Sequence, residues 1–482
     1  MIGEVKNICC IGAGYVGGPT MAVMAYKCPD IKFNVVDSNP IRIEKWNDED
    51  LSNLPIYEPG LKKIIKKCRN KNLYFSLDVE KHIKEANIIF ISVNTPIKTT
   101  GIGAGKASDL KWVEVSARQI SKYAKGTTIV VEKSTLPVKT AETIKQILDT
   151  ESNNLYSHNS KKFTVLSNPE FLSEGNAIND LLSPDRVLIG GDDKSSINTL
   201  ASIYKKWVSK EKIITTNLWS SELSKLISNA FLAQRVSSIN SITALCEETG
   251  AHIQDVSLAV GLDKRIGEKF LEAGPGFGGS CFKKDILNLV YICDYYGLHE
   301  VSKYWNSVVE INEWQQKRIS QIILKKLFGT IAGKKIVILG FSFKANTNDT
   351  RNSPSINICK KLIEEGANLI IYDPKVTIKQ IQDELGCNLN INNKKNSDFE
   401  GNWSFCKSLN DAFLKADAVV IMTEWSEFKD LDFEIMSRDM RKPAWIFDAR
   451  GIINISKAKL YDLNLWSVGN GMINNDNLKN KF

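Results

Sequence analysis

The sequence predicts an α/β protein with two doubly wound, Rossmann-like domains joined by a long central helix and a small helical dimerisation domain. Two observations predict the paired domains: an N-terminal strand, glycine turn and helix, and a second strand–turn–helix–strand unit after Gly333. A third observation predicts the long central helix. Residues 219–249 contain neither proline nor glycine, and apolar side chains recur there every three or four positions.

Composition narrows the class of protein. The chain has 482 residues, is 43% hydrophobic and 24% charged, and should form two to four domains. A net charge of +8 without a long basic block favours small anionic ligands, with nucleic acid as a weaker alternative. The ten cysteines show no CxxC and no metal-ligand spacing, which predicts reduced thiols and no bound metal. Glycines and Pro19 interrupt the uncharged run 7–26, so we expect a cytoplasmic protein without a signal peptide or membrane span.

The first glycine turn has the pattern Gly12-x-Gly14-x-x-Gly17, between an apolar strand and a helix of small residues. The first glycine allows a tight turn, the second lets the backbone approach a pyrophosphate, and the third packs the helix on the strand. The next strand, FNVVD, ends in Asp37, at the spacing where an acid meets the adenosine ribose. A carboxylate there favours NAD over NADP, so we predict an NAD site rather than a bare glycine turn.

Three further strands, in IIFISVNTP, TIVVEKSTLPV and FTVLSNPEF, each end in a polar turn. Ligands bind at the carboxyl ends of parallel strands, so Thr95, Thr135 and Glu170 are expected to face one crevice. Taken singly, each is better interpreted as a helix-cap or turn residue. On the long helix, Lys225 and Asn229 stand four residues apart and therefore share a face.

The second Rossmann-like unit contains the strand and turn KKIVILGFSFK, the helix SINICKKLIEEGA and the strand NLIIYDP. Later strands lie in DAVVIMTEW and AWIFDAR. Its turn lacks GxGxxG but carries Lys344, and Arg351 follows. We therefore expect this unit to hold an anion by side-chain charge rather than by close backbone approach.

Seven motifs together resemble one family: NICCIGAGYVGGPT, ISVNTP, EKSTLPV, LSNPEFLSEG, SSELSKLISNAFLAQR, GFGGSCFKKD and GFSFKANTNDTR. Over residues 5 to about 465 the chain is similar to the nucleotide-sugar 6-dehydrogenases of the animal and plant type. The resemblance implies a four-electron oxidation of the 6-hydroxyl of UDP-glucose, giving UDP-glucuronate with two NAD per turnover. It also implies a homodimer or higher homo-oligomer built on the central helices.

The resemblance gives each predicted domain a role. Residues 1–217 would form the NAD-binding domain, residues 218–328 the central helical dimerisation domain, and residues 329–467 the domain that binds the UDP-sugar. A polar tail rich in asparagine, residues 468–482, would follow and be disordered.

The stretch GPGFGGSCFKKD places Cys281 behind four glycines and before charged residues. Oxidising an alcohol to an acid takes two hydride transfers, and a thiol can hold the intermediate aldehyde as a thiohemiacetal and then a thioester. Lys284 and Lys225 would raise the thiolate fraction, and the glycines would let the backbone lie flat against the sugar. Most cysteines are small buried hydrophobes, but these charged, glycine-rich surroundings favour a chemical role for Cys281.

The resemblance implies the remaining site residues. Lys225 and Asn229 would stabilise charge on the reacting oxygen. Asp285 would handle protons through water, and Glu170 with Thr135 would orient the hydrolytic water. The implied NAD-binding residues are Gly12, Ala13, Gly14, Tyr15, Val16, Gly17, Asp37, Arg42, Val93, Asn94, Thr95, Pro96, Ile97, Ser134, Thr135, Leu136, Glu174, Lys284 and Arg351. The implied substrate-binding residues are Glu170, Phe171, Leu172, Ser173, Glu174, Lys225, Asn229, Arg265, Glu272, Phe277, Gly278, Phe343, Lys344 and Arg450.

Three of these positions need comment. Arg265 would reach the substrate held by the partner subunit. The family usually has an arginine pair where this chain has Arg450 followed by Gly451. Asn346 replaces a usual acid, which leaves the partner of Lys344 open.

Three other functions are alternatives to this one. A lactate- or malate-type dehydrogenase needs a histidine beside an arginine at a strand end, and none of the four histidines is so placed. A dehydrogenase acting on GDP-mannose or an N-acetylated UDP-sugar shares Lys225 and Cys281, so it stays open. A ligand-bound regulator without activity predicts the loss of at least one chemical residue, and all of them are present.

Overall fold

The computed structural model describes residues 4–152, 161–386 and 401–472. They belong to two compact units, Met1–Asn229 with Leu287–Ser302, and Ala230–Ile286 with Lys303–Phe482. Within the described ranges, no helix combines the length and apolar character that crossing a bilayer requires. The predicted disorder of residues 468–482 is wrong for the first of them, because Val468 is buried and Gly471–Met472 form a strand that pairs with the preceding strand. Residues 473–482 lie outside the described residues.

A sheet of eight strands forms the centre of the first unit as described. Its strands are β1 (Asn7–Ile11), β2 (Lys32–Val36), β3 (Leu73–Ser76), β4 (Ile88–Ile91), β5 (Thr127–Glu132), β6 (Lys162–Ser167), β7 (Val187–Gly190) and β8 (Ile213–Thr216). Their order is β3-β2-β1-β4-β5-β6-β7-β8. Neighbouring strands are parallel except β6 and β7. The apolar strands β1 and β4 are buried, as expected for a parallel sheet covered on both faces.

Helices connect these strands. They are α1 (Gly17–Lys27), α2 (Pro40–Asn47), α3 (Leu61–Cys68), α4 (Val79–Glu85), α5 (Lys111–Tyr123), α6 (Thr140–Ser152), α7 (Ala177–Leu182) and α8 (Lys194–Tyr204). Several begin at side-chain caps, as at α2, where Asn39 accepts a hydrogen bond from the N–H of Arg42 and proline takes the first turn.

Four helices follow in the chain: α9 (Leu218–Thr249), α10 (Ile253–Gly261), α11 (Phe282–Tyr295) and α12 (His299–Lys326). The first confirms the long helix predicted from the spacing of apolar residues. Helices α9 and α11 each contribute residues to both units.

The second unit contains a sheet of seven described strands. They are β9 (Lys335–Leu339), β10 (Asn368–Tyr372), β11 (Asn402–Phe405), β12 (Ala418–Ile421), β13 (Trp445–Asp448), β14 (Asn464–Ser467) and β15 (Gly471–Met472). The order is β11-β10-β9-β12-β13-β14-β15, and only the last pair is antiparallel. Its helices are α13 (Pro354–Glu364), α14 (Ile378–Leu385), α15 (Leu409–Ala412), α16 (Phe433–Asp439) and α17 (Ile455–Lys459).

The two sheets use the same turn after their first strand. Gly12 has a φ of +109°, and the N–H of the next residue donates to Asp37 at 2.9 Å. Gly340 has a φ of +95°, and the N–H of Phe341 donates to Asp373 at 2.8 Å. A glycine after the first strand and an acid after the second therefore build both turns. The predicted architecture of two parallel sheets and a long central helix is confirmed, while the domain limits and the dimerisation role stay predictions.

Candidate active site

In the first glycine turn, two of the three glycines have no space for a side chain and the third has space. A Cβ atom on Gly12 would lie 2.3 Å from the carbonyl oxygen of Ser92, and one on Gly17 would lie 2.0 Å from the carbonyl oxygen of Gly12. Both glycines are therefore required by close packing. Among the described residues, and apart from its own chain neighbours, no atom lies within 4 Å of a Cβ built on Gly14. The turn fits the predicted dinucleotide, because the position that should approach the pyrophosphate is the open one.

Asp37 joins several of the predicted NAD-binding residues. Its carboxylate is only 8% exposed and accepts the N–H of Ala13 and the guanidinium of Arg42, each at 2.9 Å. The predicted residues Tyr15 and Val16 are half-buried in the turn that leads to α1. The structure therefore brings Asp37 and Arg42 together as an ion pair beside the glycine turn.

Two hydrogen bonds join the turns that follow β4 and β5. The hydroxyl of Thr95 donates to the carbonyl of Thr135 at 3.2 Å, and the hydroxyl of Ser134 donates to the carbonyl of Val93 at 2.7 Å. These strands are parallel neighbours, so their carboxyl ends meet at one edge of the sheet. The other predicted residues of these turns are the exposed Asn94 and Pro96, the half-buried Ile97 and the buried Leu136.

Glu170 and Lys225 form a buried ion pair, with 3.1 Å between the carboxylate and the ammonium. The same ammonium donates to the amide oxygen of Asn229 at 3.4 Å, and the other carboxylate oxygen accepts the N–H of Leu172 at 2.7 Å. Burial alone would raise the pKa of Glu170, but the Lys225 ammonium, the Leu172 N–H and the charge of Lys133 together hold that pKa below its usual value. Three predicted catalytic residues thus meet in the first unit.

The loop that follows Glu170 is held from several sides. The ring of Phe171 lies 3.8 Å from the guanidinium carbon of Arg186 and 5.4 Å from the ammonium of Lys225. The N–H of Ser173 donates to Asp180 at 2.8 Å. The predicted residue Glu174 follows and is half-buried. Arg186 was not predicted from the sequence, and an arginine inside the turn SPDRV gives little signal by itself.

Cys281 lies in the second unit, immediately before α11. It is half-exposed, and its sulfur lies 3.5 Å from the hydroxyl of Ser280. Its carbonyl accepts the N–H of Asp285 at 2.8 Å, so the cysteine stands at the beginning of the helix, where a negative charge is favoured. The buried carboxylate of Asp285 pairs with Lys284 at 3.2 Å.

The glycines before Cys281 make close contacts within the second unit. A Cβ atom on Gly276 would lie 2.5 Å from the amide oxygen of Asn312, and one on Gly278 would lie 2.6 Å from the carbonyl of Asn352. Asn312 also accepts the N–H of the predicted residue Phe277 at 2.7 Å. These glycines are therefore required by packing alone, while their contact with the sugar stays a prediction.

Arg450 and Lys344 both interact with Glu424, an acid that was not predicted from the sequence. Arg450 pairs with Glu424 at 3.2 Å, and its guanidinium donates to the carbonyl of Phe343 at 3.0 Å. Burial favours a raised pKa for Glu424, but Arg450, the N–H of Ala345 and the charge of Lys344 hold it below its usual value. Glu424 therefore supplies the negative charge near Lys344 that Asn346 cannot.

The remaining predicted residues of the second unit are spread along it. Arg351 is held by both carboxylate oxygens of Asp349. Arg265 has a side chain that is 89% exposed and pairs with Asp263 at 2.7 Å. Glu272 is exposed. The carbonyl of Arg351 accepts the N–H of Gly279 at 2.8 Å, two residues before Cys281. The predicted roles of Arg351, Arg265 and Glu272 in binding NAD or substrate stay predictions.

Three sequence models of one family match the chain in order. They are described as the UDP-glucose/GDP-mannose dehydrogenase family's NAD binding domain, central domain and UDP binding domain, and they match residues 6–208, 219–314 and 337–455.

Curated relatives match almost the whole length. UDP-glucose 6-dehydrogenase 4 of Arabidopsis thaliana is 53% identical, covering 96% of this chain and 97% of its own. UDP-glucose 6-dehydrogenase 1 of Glycine max is 52% identical with the same coverage. Among solved structures, a UDP-glucose dehydrogenase from Pyrobaculum islandicum superposes with a TM-score of 0.82 at 28% identity, covering 97% of this chain and 98% of that one.

Proposed function

Because the chain belongs to the UDP-glucose/GDP-mannose dehydrogenase family, we propose that it oxidises UDP-glucose to UDP-glucuronate. It is an NAD-dependent oxidoreductase with a UDP binding domain. The observation that carries the choice of sugar is the 53% identity, over nearly the full length of both chains, to a UDP-glucose 6-dehydrogenase. Every chemical residue named from the sequence is also present.

In the proposed mechanism, the first glycine turn would hold NAD, which would supply the hydride acceptor for two oxidations. The residues that would hold it are Asp37, Arg42 and the mutually bonded turns after β4 and β5. Lys225 and Asn229 would stabilise negative charge on the oxygen at C6. Their ammonium and amide are already oriented toward one another, so little rearrangement is needed before reaction.

Cys281 would hold the sugar between the two oxidations. Its sulfur adds to the aldehyde carbon, the second oxidation leaves a thioester, and water cleaves the carbon–sulfur bond to give the carboxylate and the free thiol. Two hydrides leave the substrate in all, so two NAD are consumed for each sugar.

Proton transfer falls to two carboxylates in this proposal. The lowered pKa of Glu170 keeps it ionised at neutral pH, so it can accept a hydrogen bond from the hydrolytic water, which Thr135 would help to orient. Asp285 would exchange protons through water.

The substrate is tested by measuring NADH formation with the purified protein and a panel of nucleotide sugars: UDP-glucose, UDP-N-acetylglucosamine, UDP-N-acetylmannosamine and GDP-mannose. We expect kcat/KM for UDP-glucose to exceed that for the others by at least about a hundredfold, since a site built to bind one set of hydroxyls rejects mismatched groups strongly. A higher kcat/KM for GDP-mannose or an N-acetylated sugar would replace the proposed substrate, and no NADH with any of them would refute the proposal.

The assembly and the compartment are also proposals. In the second unit, α9 exposes Phe231, Ile242 and Leu245, which lie within about 60° of one another around the helix axis. An apolar stripe of this kind would be covered by the same stripe of a second copy in a homodimer or higher oligomer. We also propose a cytoplasmic location, as the sequence analysis expects from cysteines that show neither CxxC nor metal-ligand spacing.

A further inference from the structure

Lys133 is a buried lysine that the proposed mechanism does not use. It directly follows β5 and is only 4% exposed. An ammonium without water needs compensating hydrogen bonds and charges, because moving an ion into a low-dielectric interior is costly. The identity of its partners therefore indicates what it does.

Two side chains hold the ammonium of Lys133. It donates to the amide oxygen of Asn168 at 3.1 Å and lies 3.4 Å from the hydroxyl of Tyr204. That hydroxyl donates to the same amide oxygen at 2.7 Å, and the amide nitrogen of Asn168 donates to the carbonyl of Leu188 at 2.7 Å. Asn168 stands two residues before Glu170, so this cluster fixes the turn that carries Glu170.

The charges that face Lys133 come from three further elements. Glu170, after β6, attracts the ammonium, while Lys225 on α9 repels it and the thiol of Cys10 on β1 lies close enough to interact. Burial lowers the pKa of Lys133 to about 8, against the pull of Glu170, so the side chain is mainly protonated at pH 7. Glu170 is therefore flanked by two ammonium groups, of which only Lys225 forms the direct ion pair.

We propose that Lys133 is a positioning residue for Glu170: it fixes the turn through Asn168 and supplies a second positive charge that keeps the carboxylate ionised. This inference rests on the proposed function, since it assigns Lys133 to the step in which Glu170 orients water. It predicts separate effects of the charge of Lys133 and of its hydrogen-bonded cluster.

The test compares Lys133→Met with Tyr204→Phe, measuring kcat on UDP-glucose as a function of pH together with the melting temperature. Lys133→Met removes the charge. We expect kcat to fall roughly ten- to a hundredfold, and the acid limb of the pH profile to move to higher pH by about one unit, because Glu170 loses an attractive charge. Tyr204→Phe removes one hydrogen bond to Asn168 and keeps the charge, so the acid limb should stay in place.

The acid limb, and not the melting temperature, separates this role from a purely structural one. Lys133→Met removes one member of a buried polar network, so we expect both Lys133→Met and Tyr204→Phe to melt below the wild type, while only Lys133→Met moves the acid limb. If Lys133→Met instead misfolds, Lys133→Gln keeps a donor for Asn168 without the charge and should show the same shift of the acid limb. A wild-type pH profile in the folded charge-free variant, or an equal shift in Tyr204→Phe, would overturn the inference. Failure of the wild-type protein itself to oxidise UDP-glucose would instead refute the proposed function.

Discussion

Asp37 holds the first glycine turn, and we propose that it also selects the cofactor. Its carboxylate closes the first glycine turn through the N–H of Ala13 and also pairs with Arg42. Arg42 is partly exposed, with 42% of its side chain accessible. The acid therefore restrains a guanidinium that could otherwise attract a ribose 2′-phosphate.

Replacing Asp37 should change the choice of cofactor. In Asp37→Ala, we expect the KM for NAD to rise and the preference for NAD over NADP to narrow by roughly tenfold or more, because repulsion of the 2′-phosphate is lost and Arg42 is released. The measurement is kcat/KM for both cofactors at saturating UDP-glucose. Asp37→Asn is the matched control, since its amide oxygen can still accept the N–H of Ala13. An unchanged cofactor ratio in both variants would refute the role of the charge.

At the scale of elements, a carboxyl pair joins β5 to α9. Glu132 ends β5, Glu222 lies on α9, and the two buried carboxyl groups are close enough to interact. Glu222 in turn accepts the N–H groups of Lys139 and Ala141 at 2.7 and 2.8 Å, where α6 begins. Burial first, and then the charge of Glu222, raise the pKa of Glu132 well above its usual value. Burial also raises the pKa of Glu222, but the N–H groups of Ala141 and Lys139 oppose that rise, so the two shifts together favour the proton on Glu132.

This proton makes stability depend on pH. Because the folded pKa of Glu132 lies above the unfolded value, unfolding releases a proton once the pH exceeds the usual pKa of glutamate. The free energy of unfolding therefore falls as pH rises, by up to about 1.4 kcal/mol per unit, until Glu132 ionises in the folded state. Glu132→Gln keeps a hydrogen-bond donor for Glu222 but carries no proton that titrates. We expect its melting temperature to fall less steeply than that of the wild type between about pH 5 and 7.

Calorimetry at several pH values measures this effect, with the exposed Glu49→Gln as the control that should follow the wild type. A parallel decline in Glu132→Gln and wild type would show that the pair does not hold a proton in that range.

The helices and strands could be predicted from local sequence signals, whereas the partners of the buried charged residues could not. The glycine turn, the polar strand ends and α9 follow from residues close together in the chain. The pairing of Glu132 with Glu222 joins residues ninety positions apart, and Glu424 reaches Arg450 only through the order of the second sheet. One signal was available: Glu132 and Lys133 are consecutive ionisable residues at the end of an apolar strand, which is unusual for a buried sheet.

At the scale of the whole molecule, variants of Arg265 can test whether one subunit contributes a residue to the substrate site of its partner. Its side chain is almost fully exposed and pairs with Asp263, two residues away in the chain. An isologous contact can carry such a side chain to the site of a second copy. We expect Cys281→Ala and Arg265→Ala, each inactive alone, to regain activity when their subunits exchange, because one site in the mixed dimer then has both residues.

The control replaces Arg265→Ala by Lys264→Ala, an adjacent exposed cation that should be active without mixing. Mixtures that exchange subunits, as followed by native mass spectrometry, and yet recover no activity would rule out the shared site.

The number of NADH molecules formed for each limiting UDP-glucose tests the central claim most directly. One thiol-linked site performing both oxidations predicts a ratio of two, with UDP-glucuronate as the product identified by chromatography. Cys281→Ser should bind UDP-glucose but complete no such turnover. A ratio of one in the wild-type protein, with free aldehyde accumulating, would contradict the account.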